Sequence, residues 1–218
     1  MGERLVFKCI KEEKMFATLY FHWSAYTICG FAEGMEIAKG LKYRNWTKDT
    51  PTTETIGMLV NILEHNISTF DSKIHGGVSG GTGSDEWKAL IEMGVTPHEG
   101  EHVDRTYGLI DVTEEGMNGA LGWAEQIEEI NFDEGYFTAN NYYLFDIDDK
   151  ESMEEFFEIY GNDIDINNIP ELPDILYNGK IPFDDLGKAE EAIKVLSAAR
   201  DNGGIAGRDG NTIFTIIY

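Results

Sequence analysis

Cysteine is scarce in this chain of 218 residues, which has only Cys9 and Cys29. Two thiols build neither a disulfide framework nor a thiolate metal cage, so a reducing, cytoplasmic setting is expected. Both lie in apolar contexts and read as core residues. Proline is sparse too, at five residues, and no Pro/Ser-rich linker divides the chain. Long apolar runs are missing: no window approaches the roughly 18 uninterrupted apolar residues that mark a membrane span. Charges run through the first fourteen residues, MGERLVFKCIKEEK, where a secretory leader would need an apolar stretch. Neither a membrane span nor a cleaved leader is expected. Basic side chains are the most telling shortage, 17 Lys and Arg against 40 Asp and Glu, for a net charge of −23. Such a balance argues against direct binding of nucleic acid, whose phosphates are met by Lys and Arg.

Apolar side chains are not lacking. Hydrophobic residues make up 42% of the chain, with 12 Phe, 10 Tyr and 4 Trp, enough to build a core in one large domain. The acids are unevenly placed. Residues 1–100 hold 13 Asp and Glu and 10 Lys and Arg, a net of −3; residues 101–218 hold 27 and 7, a net of −20. Within 111–185, 21 acids face only Lys150 and Lys180. Self-repulsion on that scale opposes compaction. The plain reading is solubility; the functional one is a negative field offered to a basic partner.

The hydropathy pattern predicts strands at 5–10 and 15–22 joined as a hairpin, then a helix from Ser24 to about residue 41, weakened by Gly30, Gly34 and Gly40. Further helices are expected over 54–68, 85–93, from Thr113 onward, over 152–160 and over 183–199. Strands are expected at 106–112, at 126–132 with 136–147 as a second hairpin, and at 212–218. The stretch 71–84 carries five glycines and reads as a loop, and 161–182 as an irregular connection. Together these predict a single α+β domain over 1–218 with a mostly antiparallel sheet containing both terminal strands, packed helices and a glycine-rich loop.

No familiar catalytic motif is complete. The glycine run lacks the Lys of a phosphate-binding loop. His98 and His102 have a metal-like spacing, but Pro97 and Gly100 deny them the helix that such a pair needs. Asp163, Asp165 and Asn167 begin like a calcium loop, yet Pro170 and the missing flanking helix break the pattern. His22 and Ser24, two apart around Trp23, can share one strand face and form the single suggestive cluster for nucleophilic chemistry. No metal and no cofactor are expected.

Two stretches carry a resemblance: Tyr20-Phe21-His22-Trp23-Ser24-Ala25-Tyr26-Thr27, and Gly108-Leu109-Ile110-Asp111-Val112-Thr113-Glu114-Glu115-Gly116-Met117. They resemble segments of uncharacterised accessory proteins from bacteriophages and mobile elements of Gram-positive bacteria. The resemblance supplies no catalytic residues. It implies a setting in the bacterial host cytoplasm and a role as an inhibitor of a host or defence protein. The leading expectation is therefore a non-enzymatic inhibitor of a nucleic-acid-handling defence protein, such as a CRISPR effector. Asp146, Asp148, Asp149, Glu151, Glu154, Glu155, Glu158, Asp163 and Asp165 would replace phosphates in a basic groove. A second reading is a small-ligand protein that sequesters a nucleotide signal, with His22, Trp23, Arg105, Arg208 and the glycine loop around it. A third is a metal-dependent hydrolase built on His98 and His102.

Overall fold

The computed structural model describes residues 3–65, 77–78, 83–95, 108–177 and 179–217. Alternating apolar residues set the first elements. Strands β1 (Leu5–Lys11) and β2 (Lys14–Phe21) form the expected hairpin, with Leu5 opposite Phe21 and Lys11 opposite Lys14. Its turn holds Glu12 and Glu13 at φ of 53° and 59°, a region that side-chain-bearing residues seldom adopt. Asp133 offsets that cost by accepting both amides, at 2.9 and 3.3 Å.

Five more strands extend the main sheet: β3 (Gly77–Val78), β4 (Gly108–Asp111), β5 (Gln126–Asn131), β6 (Tyr136–Thr138) and β8 (Lys180–Pro182), while β7 (Tyr142–Asp146) lies elsewhere. Their order is β3-β4-β2-β1-β5-β6-β8. The sheet is mixed: β1 runs parallel to β5 and β3 to β4, while the other neighbours are antiparallel.

The expected second hairpin forms between β5 and β6, with Ile130 opposite Phe137, but its second strand is shorter than expected. The run 136–147 breaks at 139–141, where Ala139 N–H donates to the Gly179 carbonyl and the Thr27 hydroxyl donates to the Asn141 carbonyl. Past that break β7 enters a second sheet with β9 (Ile205–Asp209) and β10 (Thr212–Ile216), in the order β7-β10-β9. The placement of the C-terminal strand in the main sheet is thus overturned. It is the central strand of the smaller sheet, because the break at 139–141 carries its partner β7 away from β6.

Helices α1 (Thr27–Tyr43), α2 (Thr52–His65) and α7 (Leu186–Asp201) cover one face of the main sheet, packing on Leu5, Phe7, Cys9, Leu19, Phe21 and Ile110. Two of the glycines that weaken α1 are points of close approach. A Cβ at Gly34 would strike the Phe137 ring, and one at Gly40 would come within 2.6 Å of Ile62 on α2. Ser24 does not cap α1; the N-cap is Tyr26, with no side-chain bond, and the Ser24 hydroxyl turns to Glu33. Helices α3 (Asp85–Glu92) and α4 (Glu114–Gly122) start on the side chains of Ser84 and Thr113. Helix α5 (Lys150–Tyr160) starts on Asp149, and the short α6 (Asp174–Tyr177) follows a 3-10 turn at Ile166–Asn168.

The second sheet and α5 form a lobe with its own core of Phe145, Met153, Phe156 and Ile213. It is tied to the start of α1, where Thr27 N–H donates to the Ile217 carbonyl at 3.2 Å and the Ile217 amide donates to the Thr27 hydroxyl at 3.0 Å. Of the glycine-rich stretch 71–84, only Gly77, Val78, Gly83 and Ser84 are described. Gly77 and Val78 form β3 where a loop was expected, and the rest of the stretch lies outside the described residues. Among the described residues no helix is long and apolar enough to cross a membrane.

Candidate functional site

Helix α5 sorts its side chains by period. Met153, Phe156, Phe157 and Tyr160 recur at i, i+3, i+4 and i+7 and face the lobe core. Glu151, Glu154, Glu155 and Glu158 repeat the same spacing on the opposite side, and all four are exposed. The other five acids singled out from the sequence, Asp146, Asp148, Asp149, Asp163 and Asp165, are exposed on the same lobe.

Several of these acids are fixed in place. Asp149 accepts the Ser152 amide at 2.9 Å as the helix cap, and Asp146 N–H donates to the Ser152 hydroxyl at 2.9 Å. Asp146 accepts the Asp148 amide at 3.0 Å, and Asp148 accepts from the Asn211 side chain. Asp165 closes the 3-10 turn, accepting the Asn167 amide at 3.0 Å and the Asn168 side chain at 2.7 Å. Those bonds set the direction in which each of these carboxylates faces. Among the described residues one cation answers them directly, Lys150, 2.9 Å from Glu154.

The stripe on α5 opposes its own helix. Glu151 with Glu155, and Glu154 with Glu158, are like charges four apart, and Glu158 stands near the negative end of the helix dipole. At about 0.2–0.5 kcal/mol per like-charge pair, counting the two pairs three apart as well, the arrangement costs about 1–2 kcal/mol. Exposed apolar side chains accompany it: Tyr143 and Leu144 on β7, and Ile159 on α5.

Among the described residues of the ligand-binding alternative, His22 and Trp23 stand together and Arg208 stands apart from them. His22 Nδ1 lies 2.8 Å from the Tyr20 hydroxyl, and the Trp23 ring stands edge-on to His22 at 5.1 Å between centroids. Arg208 belongs to β9 of the other sheet, paired with the end of β10 far from Thr27, and gives its guanidinium to the carbonyls of Gly210 (2.6 Å) and Ile166 (3.3 Å). Arg105, His98 and His102 lie outside the described residues. Ser24 is not offered to His22 as a nucleophile. It is buried and donates to Glu33 Oε1 at 3.0 Å.

Glu33 is 2% exposed, and burial pushes its carboxyl up to about 8, against the opposing Ser24 hydrogen bond. Burial also pushes the Cys29 thiol up to about 11 and raises that of Cys9, so neither thiol is activated as a thiolate. Among the described residues, no group of three or more His, Cys, Asp or Glu is placed to hold a metal ion. A hollow of about 490 Å³ beside Trp46 and Phe183 is lined by Lys42 and Lys48 but also by Glu134 and Asp184, which leaves no net charge to select a ligand.

The sequence reading did not find Glu33, nor the exposed Tyr143, Leu144 and Ile159. Burial of a single Glu on a helix has no local signature, and an exposed Leu differs from a core Leu only by its surroundings. No family model, curated protein or solved structure matches this chain.

Proposed function

We propose that this chain is a non-enzymatic binding protein that presents the acidic face of its smaller lobe to the basic surface of a nucleic-acid-handling protein, and so inhibits it. The class of target implied by the resemblance is a bacterial defence protein such as a CRISPR effector. The observation that carries the reading is the pairing of cost with order on α5. Four glutamates at helical spacing repel one another, have one lysine among them and are flanked by acids held in turns and a cap. Rigid carboxylates can take the places of phosphates in a basic groove, and their combined field speeds encounter. The exposed Ile159, on the same helix and next to Glu158, supplies an apolar contact that a purely electrostatic surface lacks.

The test is comparative capture from a bacterial lysate at low and high salt, with the parent chain and with a variant carrying Glu151→Gln, Glu154→Gln, Glu155→Gln and Glu158→Gln. The reading expects a nucleic-acid-binding protein retained at low salt by the parent only, and released by added DNA. Equal retention by both forms would remove its basis.

A further inference from the structure

The end of α1 and the segment after it stand against the turn between β5 and β6. Trp46 meets Phe132 and Phe183 edge-on, with ring centroids 5.4 and 5.3 Å apart. Beside these rings lies the hollow of about 490 Å³. One of its sides comes from residues 41–48, the other from Glu134, Gly135 and residues 182–184. Both sides are pinned from behind. Lys11 gives its ammonium to the carbonyls of Lys48 and Thr50, and the Trp46 indole N–H donates to the Thr55 hydroxyl at 3.2 Å. Across the hollow, the Asn131 side chain accepts the Asp133 and Glu134 amides at 3.0 and 2.9 Å, and the Gly135 carbonyl accepts the Phe183 amide at 2.9 Å.

The charges of the hollow cancel in sum but are sorted by side. Lys42 and Lys48 stand on the first side, Glu134 and Asp184 on the second. Glu134 already has a cation, Lys180 at 3.9 Å. Among the described residues Lys42, Lys48 and Asp184 take part in no ion pair. The two sides come close together. A Cβ on Gly135, the neighbour of Glu134, would lie 3.4 Å from Cε of Lys48, and the φ of 79° there favours glycine. Between the opposite charges the lining is apolar, from Leu41, Trp46 and Phe183.

We propose that this hollow binds a free α-amino acid with an aromatic side chain, in its zwitterionic form. Lys42 and Lys48 take the carboxylate, Asp184 takes the ammonium, and the ring lies against Trp46 and Phe183. A balanced lining gives no hold on an ion of one sign, but it matches a ligand that is itself balanced. Charge-assisted hydrogen bonds at both ends fix the orientation, and ring-on-ring contact supplies the apolar part. The volume falls within the range of ligand pockets, about 300–1,000 Å³, whose apolar walls carry a few convergent polar groups. Walls held by their own hydrogen bonds need little ordering on binding. The site shares no side chain with the acidic lobe and stands or falls apart from it.

The test uses the full chain with ¹⁵N-labelled indoles, the Trp46 signal being assigned by its loss in Trp46→Phe. L-Phenylalanine should shift that signal saturably. Two analogues remove one charge each: 2-phenylethylamine lacks the carboxylate and 3-phenylpropanoate lacks the ammonium. Each should bind at least about tenfold more weakly, the loss of one charged hydrogen bond. N-Acetyl-L-phenylalanine amide, which has the ring but neither charge, should bind more weakly still. Lys48→Gln and Asp184→Asn should each weaken phenylalanine binding by a similar factor. Both side chains are exposed, so both variants should keep the parent's melting temperature. Absence of a saturable shift with phenylalanine would overturn the proposal. So would an analogue that binds as tightly as phenylalanine, or undiminished affinity in either variant, since apolar contact alone would then explain the binding.

Discussion

Glu33 makes the stability of this protein depend on pH in a direction opposite to that of most carboxylates. Its side chain lies within α1 against the core, one oxygen bonded to Ser24 and the other, Oε2, buried without a hydrogen-bond partner. Burial raises its pKa from 4.5 in the open chain to about 8 in the fold. Between those values the folded protein keeps a proton that the unfolded chain releases. Stability from this group is therefore complete below about pH 4.5 and falls as the pH rises to about 8. At about 1.4 kcal/mol per pH unit, the whole interval amounts to roughly 4–5 kcal/mol, a large part of a typical domain stability of about 5–15 kcal/mol. Glu33→Gln keeps the shape and cannot ionise. Urea unfolding of both forms at several values between about pH 5 and 8.5 checks the claim. The difference between the two curves isolates Glu33, because every other titrating group is common to both. The two forms should be nearly equal near pH 5, and the variant should be the more stable by several kcal/mol above pH 8. Parallel curves would refute the reasoning, since they would mean that the Glu33 carboxylate is ionised at no cost inside the fold.

Deleting residues 212–218 removes the central strand of the smaller sheet, with the fully buried Ile213 and Ile216; at about 1.5–3 kcal/mol per buried side chain the lobe should be lost, and circular dichroism with a protease digest reads that loss. Asp149→Ala should cost about 1 kcal/mol by uncapping α5, measured by thermal unfolding. Gly34→Ala should cost about 1–3 kcal/mol despite its better helix propensity, because the new methyl meets the buried Phe137 ring; a more stable variant would show that α1 can move off β6.

Local signals carried much of the fold. The β1–β2 hairpin, the Thr113 cap of α4, the Gly94 turn after α3 and the amphipathic α5 were all legible, since each is written within about a dozen residues. What failed was pairing between distant strands. TIFTIIY at the end of the chain is apolar enough for a sheet centre, and nothing in it says which sheet; that choice is made by the break at 139–141. Strand β9 went unread because Gly207 and two charged residues blur its alternation. The acidic surface was legible from composition, because nine carboxylates with so few cations nearby have nowhere to be but in solvent. The stacking of α4 over β2 and β4 was not legible, because it depends on the pairing of strands far apart in sequence.

The central claim, that the acidic face of the smaller lobe meets a basic partner, is tested most directly by association kinetics. The protein retained from lysate is mixed with the parent chain and with the fourfold Glu→Gln variant of α5, at two ionic strengths. Removing the four charges also relieves their repulsion, so the variant should be as stable as the parent or more stable by about 1–2 kcal/mol. Its association should nonetheless be slower at low salt, and the salt dependence of the rate should be flatter, because surface charges act chiefly on encounter. A variant that associates as fast as the parent at low salt would contradict the account.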